Sequence, residues 1–262
     1  MNPRVGFVTQ LGMDPLVAIE RAGALGFDYV ELMLDGETAP HRVADRRDEF
    51  ADALDDAGLD LLVHLPFGGI DVASPFEGLR EGSVRAIEDA IDVAAALGAE
   101  KGVLHAQTGA WRPAWDAEEL RPHLVESVGH LSEYGAEREF EVCVENIPRG
   151  LFSTTDVPDV LAEADASMTL DTGHARIDGY DADGMANLVT DSGRVDHVHL
   201  NDTRRARDEH LAFGSGTIDF GTILDAFDDD WAGTLSLEVF THDYDYLAVS
   251  KERLGALLDE RR

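Results

Sequence analysis

Apolar runs rich in Val, Leu and Ile recur along the chain at intervals of about 25 to 40 residues: RVGFVTQ (4–10), YVELML (29–34), LDLLVHL (59–65), KGVLHA (101–106), EFEVCVEN (139–146), SMTLDT (167–172), VDHVHLND (195–202) and TLSLEVF (234–240). Most are close to continuous, the pattern of parallel strands covered on both faces. Between them lie stretches of helical spacing. DPLVAIERAGALG opens on an Asp cap with Pro in the first turn and closes on Gly26. SVRAIEDAIDVAAALG ends on Gly98, DAEELRPHLVESVGHLSEYG carries Pro122 in its first turn or at a kink, and DYLAVSKERLGALLDER closes the chain. The weakest helical pattern, DADGMANLVTDSG, follows LDTGH. Eight strands alternating with helices predict an α/β fold, a (β/α)8 TIM barrel in one domain over residues 1–262. A doubly wound open sheet is the alternative, but no G-x-G-x-x-G follows the first strand and no organic cofactor is expected.

The strand ends carry the chemistry. The third run ends on His64, the fourth on His105, the fifth on Glu145, the sixth on Asp171 with His174 a turn later, the seventh on His199 and the eighth on Glu238; the loop after the seventh adds Asp208 and His210. In a TIM barrel the C-terminal strand ends form one face, so these residues converge on one bowl. Imidazole nitrogen and carboxylate oxygen are ligands for zinc, manganese, cobalt or iron, and so many acids together need a cation. Asp171 alone reads equally as a helix cap. Glu145 and Glu238, flanked by Val, Cys and Leu, are harder to explain without a charged partner. Glu31 is either a substrate contact or a salt bridge in the barrel mouth. His41, His123, His130, His197 and His242 fall on helices, loops or the opposite strand face and receive no site role.

Composition sets the surroundings. There are 53 acids against 21 bases, a net charge of -32 and a pI near 4.4, with lysine only at 101 and 251. The acids are dispersed rather than gathered in a tail, which predicts a protein kept hydrated in concentrated salt and a halophilic source. That charge weakens the usual basic-footprint test for nucleic-acid binding. The lone Cys143 excludes an intramolecular disulfide and a cysteine zinc module. No run approaches the roughly 20 apolar residues of a membrane span, and no signal peptide is read at MNPRVGFVTQ, so a cytoplasmic location is expected.

The motifs VHLPF, VLHAQTG, VENIPRG, LDTGHA, HVHLND, DEHLAFGSGTIDF and LEVF together resemble the xylose isomerase-like TIM-barrel superfamily, over about residues 5 to 240. That superfamily includes sugar phosphate isomerases/epimerases and the endonuclease IV type of apurinic/apyrimidinic (AP) endonuclease. In the sugar branch the resemblance implies one divalent metal (Mn or Zn first, Co or Mg next) on Glu145, Asp171, His199 and Glu238. Its substrate is a keto or aldehyde sugar, phosphorylated or not; Glu145 and Glu238 act as acid and base through an enediolate, and His174 binds a substrate oxygen. In the nuclease branch it implies three zinc ions. His64, His105 and Glu145 serve the first; Glu145, Asp171, His199 and Glu238 the second; His174, Asp208 and His210 the third. DNA is then cleaved 5′ to abasic sites.

All nine positions are filled. The nuclease's Gly-Ala-His-type first-strand motif is absent from RVGFVTQLGMD, and the one dense basic cluster is RRAR at 204–207. The sugar reading is therefore preferred, a dehydratase stays open within it, and a non-catalytic binding barrel is disfavoured by the intact ligand set. On the loops, Trp111 and Trp115 read as sugar-stacking faces, a lid, or rim packing. Arg149, Arg176 and the Arg204, Arg205, Arg207 cluster read as phosphate contacts or as solvated arginines. The resemblance also carries the expectation of a homodimer.

Overall fold

The computed structural model describes residues 1–204 and 207–261. Eight parallel strands close into a barrel in sequence order: β1 Arg4–Val8, β2 Tyr29–Met33, β3 Asp60–His64, β4 Lys101–His105, β5 Glu141–Glu145, β6 Ser167–Asp171, β7 Val195–Leu200 and β8 Thr234–Leu237. This is the single-domain (β/α)8 barrel that the alternation predicts. Helices cover it: α1 Pro15–Ala24, α2 Pro40–Asp45, α3 Arg47–Ala57, α4 Glu77–Ala96, α5 Ala117–Ala136, α6 Val157–Ala164, α7 Thr172–Asp178, α8 Ala182–Ser192, α9 Phe220–Leu224 and α10 Tyr244–Asp259. No helix among the described residues is long and apolar enough to cross a membrane.

Local signals explain the boundaries. Asp14 caps α1 by accepting from Leu16 and Val17 N–H, with Pro15 at the first turn. Asp116 and Glu119 form a reciprocal capping box on α5, and that cap holds the helix although Pro122 lies inside it. The stretch with the weakest helical pattern forms α8, because Asp181 caps it at Gly184 N–H and Gly193 closes it in the left-handed region. The segment between β2 and β3, where no helix is predicted, holds α2 and α3. The last strand stops at Leu237, so Glu238 sits one residue beyond it.

Period-two alternation divides the strands between two environments. On β7, Val198 and Leu200 join the apolar shell under the helices, while His197 and His199 face the barrel axis. On β8, Leu235 and Leu237 face out, while Ser236 hydrogen-bonds inside. His197 is thus corrected from the opposite face: two residues before His199, it must share the interior. Tyr29 crosses the barrel over Gly6 to reach Ser236 Oγ at 2.9 Å; a Cβ at Gly6 would stand 2.3 Å from its ring.

Candidate metal centre

The upper barrel gathers the nine strand-end and loop residues into three abutting groups of potential ligands. These are His64, His105 and Glu145; Glu145, Asp171, His199 and Glu238; and His174, Asp208 and His210, with the ligand atoms of each group within 4.8 Å of one another. Glu145 belongs to two of them. In the first group His64 Nε2 lies 3.1 Å from His105 Nε2 and 3.7 Å from Glu145 Oε2, and His105 Nε2 lies 3.0 Å from that oxygen. In the second, His199 Nδ1 is 3.2 Å from both Glu145 Oε1 and Glu238 Oε2. In the third, Asp208 lies 3.2 Å from His174 Nε2 and 2.8 Å from His210 Nε2. Ligands about 2.0–2.1 Å from a tetrahedral cation stand roughly 3.3 Å apart, so the spacings fit one.

Second contacts decide which imidazole nitrogen is offered. A carbonyl can only accept, so a ring nitrogen bonded to one carries the hydrogen. His64 Nδ1 donates to Leu65 O, His174 Nδ1 to Asn146 O and His210 Nδ1 to Glu238 O, at 3.0 to 3.2 Å. Each leaves its Nε2 lone pair toward the bowl. His199 is reversed: its Nε2 faces Glu31 Oε1 at 3.0 Å, and Nδ1 faces the acids. Asp171 is a helix cap and also a member of the central group. It caps α7 through His174 N–H at 2.5 Å, and it stands in the central group, braced by Asn201 Nδ2 at 2.6 Å. Asn146 holds the Asp171 backbone on both sides. Four buried polar atoms here make no hydrogen bond: Glu145 Oε2, Glu238 Oε2, His105 Nδ1 and Asn201 Oδ1; the two carboxylate oxygens meet only imidazole nitrogens, at 3.0 to 3.7 Å. Carboxylate oxygens that face imidazole nitrogens without a hydrogen bond between them are what a divalent cation satisfies, so the residues fit the group.

The charges respond as an acid-rich pocket without a cation must. Burial pushes Glu145 and Glu238 up, but His199 and His105 around the first, and His210 and His199 around the second, hold both well below the usual carboxylate range. Asp171 is raised to about 7 by burial and by the negative charges of Glu238 and Glu145, which outweigh His174. Burial lowers the imidazoles, yet the acids lift His174 and His199 well above the ordinary value and His210 to about 11. Protons on the histidines thus balance the carboxylates, and a cation would displace them.

Above the candidate ligands opens a cavity of about 370 Å³ lined by Met33, Phe67, Gln107, Ile147, Pro148 and Phe240 together with seven of the nine residues. Phe67 stacks on His105 with centroids 4.6 Å apart, and Phe240 on His210 at 4.0 Å. Sequence reading missed both rings, although Gln107, Ile147 and Phe240 follow a predicted ligand by two, the strand spacing that returns to the same face. Other predictions fall away from this cavity. Trp111 is 71 % exposed, and Trp115 packs half-buried against the core, the rim role. Arg149 is exposed, at positive φ, its N–H on Asp178. Arg176 bonds Tyr180 O and lines a separate cavity with Asp181, Asp183 and Asp219. Arg204 pairs with Glu209; Arg205 lies outside the described residues. Glu31 is fully buried beneath the ligands, which corrects the substrate-contact alternative in favour of an internal ion pair.

The profile of the xylose isomerase-like TIM barrel matches residues 19–260. The chain belongs to that family. Within it, the chain is 30% identical to a probable endonuclease 4 of Mycobacterium leprae over 227 residues, 79% of this chain and 81% of the relative. It is 26% identical to an uncharacterized protein of Methanocaldococcus jannaschii over 232 residues, 84% of this chain and 78% of the other. Among solved structures, a D-tagatose 3-epimerase-like protein superposes with a TM-score of 0.81 at 26% identity, covering 98% of this chain and 97% of its own. A Thermus thermophilus protein soaked with zinc chloride superposes at 0.73 with 26% identity and full coverage of both chains. Both branches of the xylose isomerase-like family are therefore represented among the relatives.

Proposed function

We propose that the protein is a divalent-metal-dependent isomerase or epimerase of a keto or aldehyde sugar, with Glu145 and Glu238 as the proton-transferring pair. One observation carries this. These two flank His199 from β5 and the end of β8, and each keeps a buried oxygen that makes no hydrogen bond and meets only imidazole nitrogens. Asp171 has both oxygens hydrogen-bonded, to His174 N–H and Asn201 Nδ2, and the Asp208 side chain is partly exposed.

Glu145, Asp171, His199 and Glu238 would hold the cation, Mn or Zn by ligand type, with Co or Mg next. When bound, it supplies a Lewis acid that polarises the sugar carbonyl and offsets charge developing on its oxygen. One glutamate accepts the proton from the carbon beside the carbonyl, and the other delivers a proton to complete the isomerisation or epimerisation. His174, fixed through Nδ1 on Asn146 O, directs Nε2 toward the substrate oxygens. Phe67 and Phe240 supply apolar faces for sugar C–H groups and exclude water. Among the described lining residues there is no lysine or arginine, which favours a compact, uncharged sugar end in the cavity. The D-tagatose 3-epimerase-like neighbour supports the same substrate class.

A second reading, an endonuclease IV-like hydrolase of abasic DNA, is favoured by the completeness of the three groups. Three divalent cations would more than offset the four carboxylates Glu145, Asp171, Asp208 and Glu238, suited to an anionic phosphodiester. One cation would leave the remaining negative charge to protonated histidines, suited to a neutral sugar. Elemental analysis of protein purified in high salt without chelator separates the two. About one metal per chain, with deuterium entering a ketose or aldose from D2O, is the expected result. About three zinc per chain, no sugar exchange, and nicking of abasic duplex would replace it with the hydrolase.

A further inference from the structure

Beneath the ligands, the barrel axis is filled by a second polar layer with no apparent route for substrate. Glu31, His197 and His199 bring ligand-type atoms within 4.8 Å, all fully buried. It differs from the groups above in being satisfied. Glu31 Oε1 accepts from His199 Nε2 at 3.0 Å; Oε2 accepts from Ser236 Oγ at 2.5 Å and faces His197 Nε2 at 3.1 Å. Tyr29 hydroxyl meets Ser236 Oγ at 2.9 Å, and His197 Nδ1 meets Thr234 Oγ1 at 2.7 Å. Lys101 Nζ reaches Thr234 Oγ1 at 3.5 Å from the other side of the barrel. Every polar atom of Glu31 is used, so a cation has no vacancy there.

His199 also differs from three of the other candidate ligand histidines. His64, His174 and His210 are oriented by backbone carbonyls, which any sequence supplies. His199 is oriented by a charged side chain that β2 must bring across the barrel. We propose that Glu31 is a positioning residue for the metal centre. By accepting the Nε2 hydrogen of His199 it fixes the tautomer and ring plane that present Nδ1 between Glu145 and Glu238. Its charge strengthens the nitrogen as a donor, and Ser236, Tyr29 and His197 hold Glu31 in place. A carboxylate behind a ligand imidazole raises its basicity, and its loss typically weakens metal binding 10–100-fold.

This rests on the central group being a metal site, and the experiment separates the two claims. Co2+ and Zn2+ affinities are measured by chelator competition on the full chain in high salt, with the Co2+ visible spectrum recorded for wild type, Glu31→Gln and Ser236→Ala. Wild type that binds neither ion removes the metal site itself. With wild type binding, the proposal expects Glu31→Gln, which keeps the shape and an acceptor but loses the charge, to weaken both ions about 10–100-fold and shift the Co2+ bands. Ser236→Ala, which removes one of the two contacts of Glu31 Oε2, is expected to weaken them several-fold. A folded Glu31→Gln with wild-type affinity and spectrum overturns the proposal. If Glu31→Gln does not fold, an unchanged affinity and spectrum in Ser236→Ala does so instead.

Discussion

The barrel interior holds two layers made from the same residue types, and they behave in opposite ways. The upper layer brings histidines and acids together and leaves buried oxygens on Glu145 and Glu238 beside imidazole nitrogens but without a hydrogen bond. The lower layer, Glu31 with His197, Ser236, Thr234 and Tyr29, closes on itself with hydrogen bonds of 2.5 to 3.1 Å. An unsatisfied buried polar atom costs roughly 1–3 kcal/mol, more when charged. Under the proposed function the upper layer tolerates this because a cation completes it; the lower layer is complete without one. Composition therefore does not distinguish a binding site from a structural plug. The bookkeeping of lone pairs does.

The comparison is tested hardest in the upper layer. Under the proposed function, Glu238→Gln should lower sugar turnover about 10²–10⁴-fold, the usual contribution of a general acid or base, with an unchanged circular dichroism spectrum. An active Glu238→Gln would remove this residue from the proton transfer. Metal should come next. A cation at about 1,000 times its dissociation constant stabilises the fold by ~4 kcal/mol, a rise in Tm on the order of 10 °C for a chain of this size. The same rise should vanish on adding chelator. A Tm indifferent to Co2+, Zn2+ and Mn2+ would make the upper layer as closed as the lower.

The lower layer makes a prediction in pH. Burial lowers His197 to about 4, against the attraction of Glu31. The unfolded imidazole titrates near ~6.5, so between these values the unfolded chain binds the extra proton and stability rises with pH. The contribution is fully present above ~6.5 and lost as pH falls through about 4, on the order of 3 kcal/mol in all. Urea unfolding of metal-free wild type and His197→Gln should therefore give stabilities whose difference shrinks on acidification over that window. A constant difference would mean that His197 is charged in the fold. The smallest effect belongs to the rim. Phe240 stacks on His210 but is 58 % exposed, so Phe240→Ala should cost no more than ~1.5 kcal/mol of stability while weakening sugar affinity several-fold. Equal affinities would place the substrate away from that ring.

What the sequence discloses follows strand periodicity. The candidate ligands His64, His105, Glu145 and Asp171 end strands and His199 stands one residue before the end of β7, and period two with parallel barrel topology brings them to one face. The same rule contained His197 and Glu31. His197 lies two residues before His199, and Glu31 lies two before the cavity-lining Met33, so the alternation was available and was not applied downward into the barrel. The loop predictions fared differently. Trp111 and Arg149 lie on loops, where no period fixes the direction of a side chain, and Arg176 lies in the short helix α7 rather than on a loop. Asn146 and Asn201, which brace Asp171, each follow a candidate ligand closely but look like ordinary polar residues until their partners are known.

The β7–β8 connection separates what the barrel owns from what is lent to it. Asp202 ties the connection at its base, accepting from Thr203, Gly216 and Ile218 N–H, while its backbone pairs with Leu211 in both directions at 2.8 Å. Asp208 and His210 ride on the segment so clamped; the central four candidate ligands stand at strand ends or within one residue of them. Exchanging this one excursion would change how many cations the bowl can gather without disturbing a single strand. A scaffold arranged in this way lets evolution revise its inorganic chemistry by editing a loop, leaving the costly closed sheet untouched.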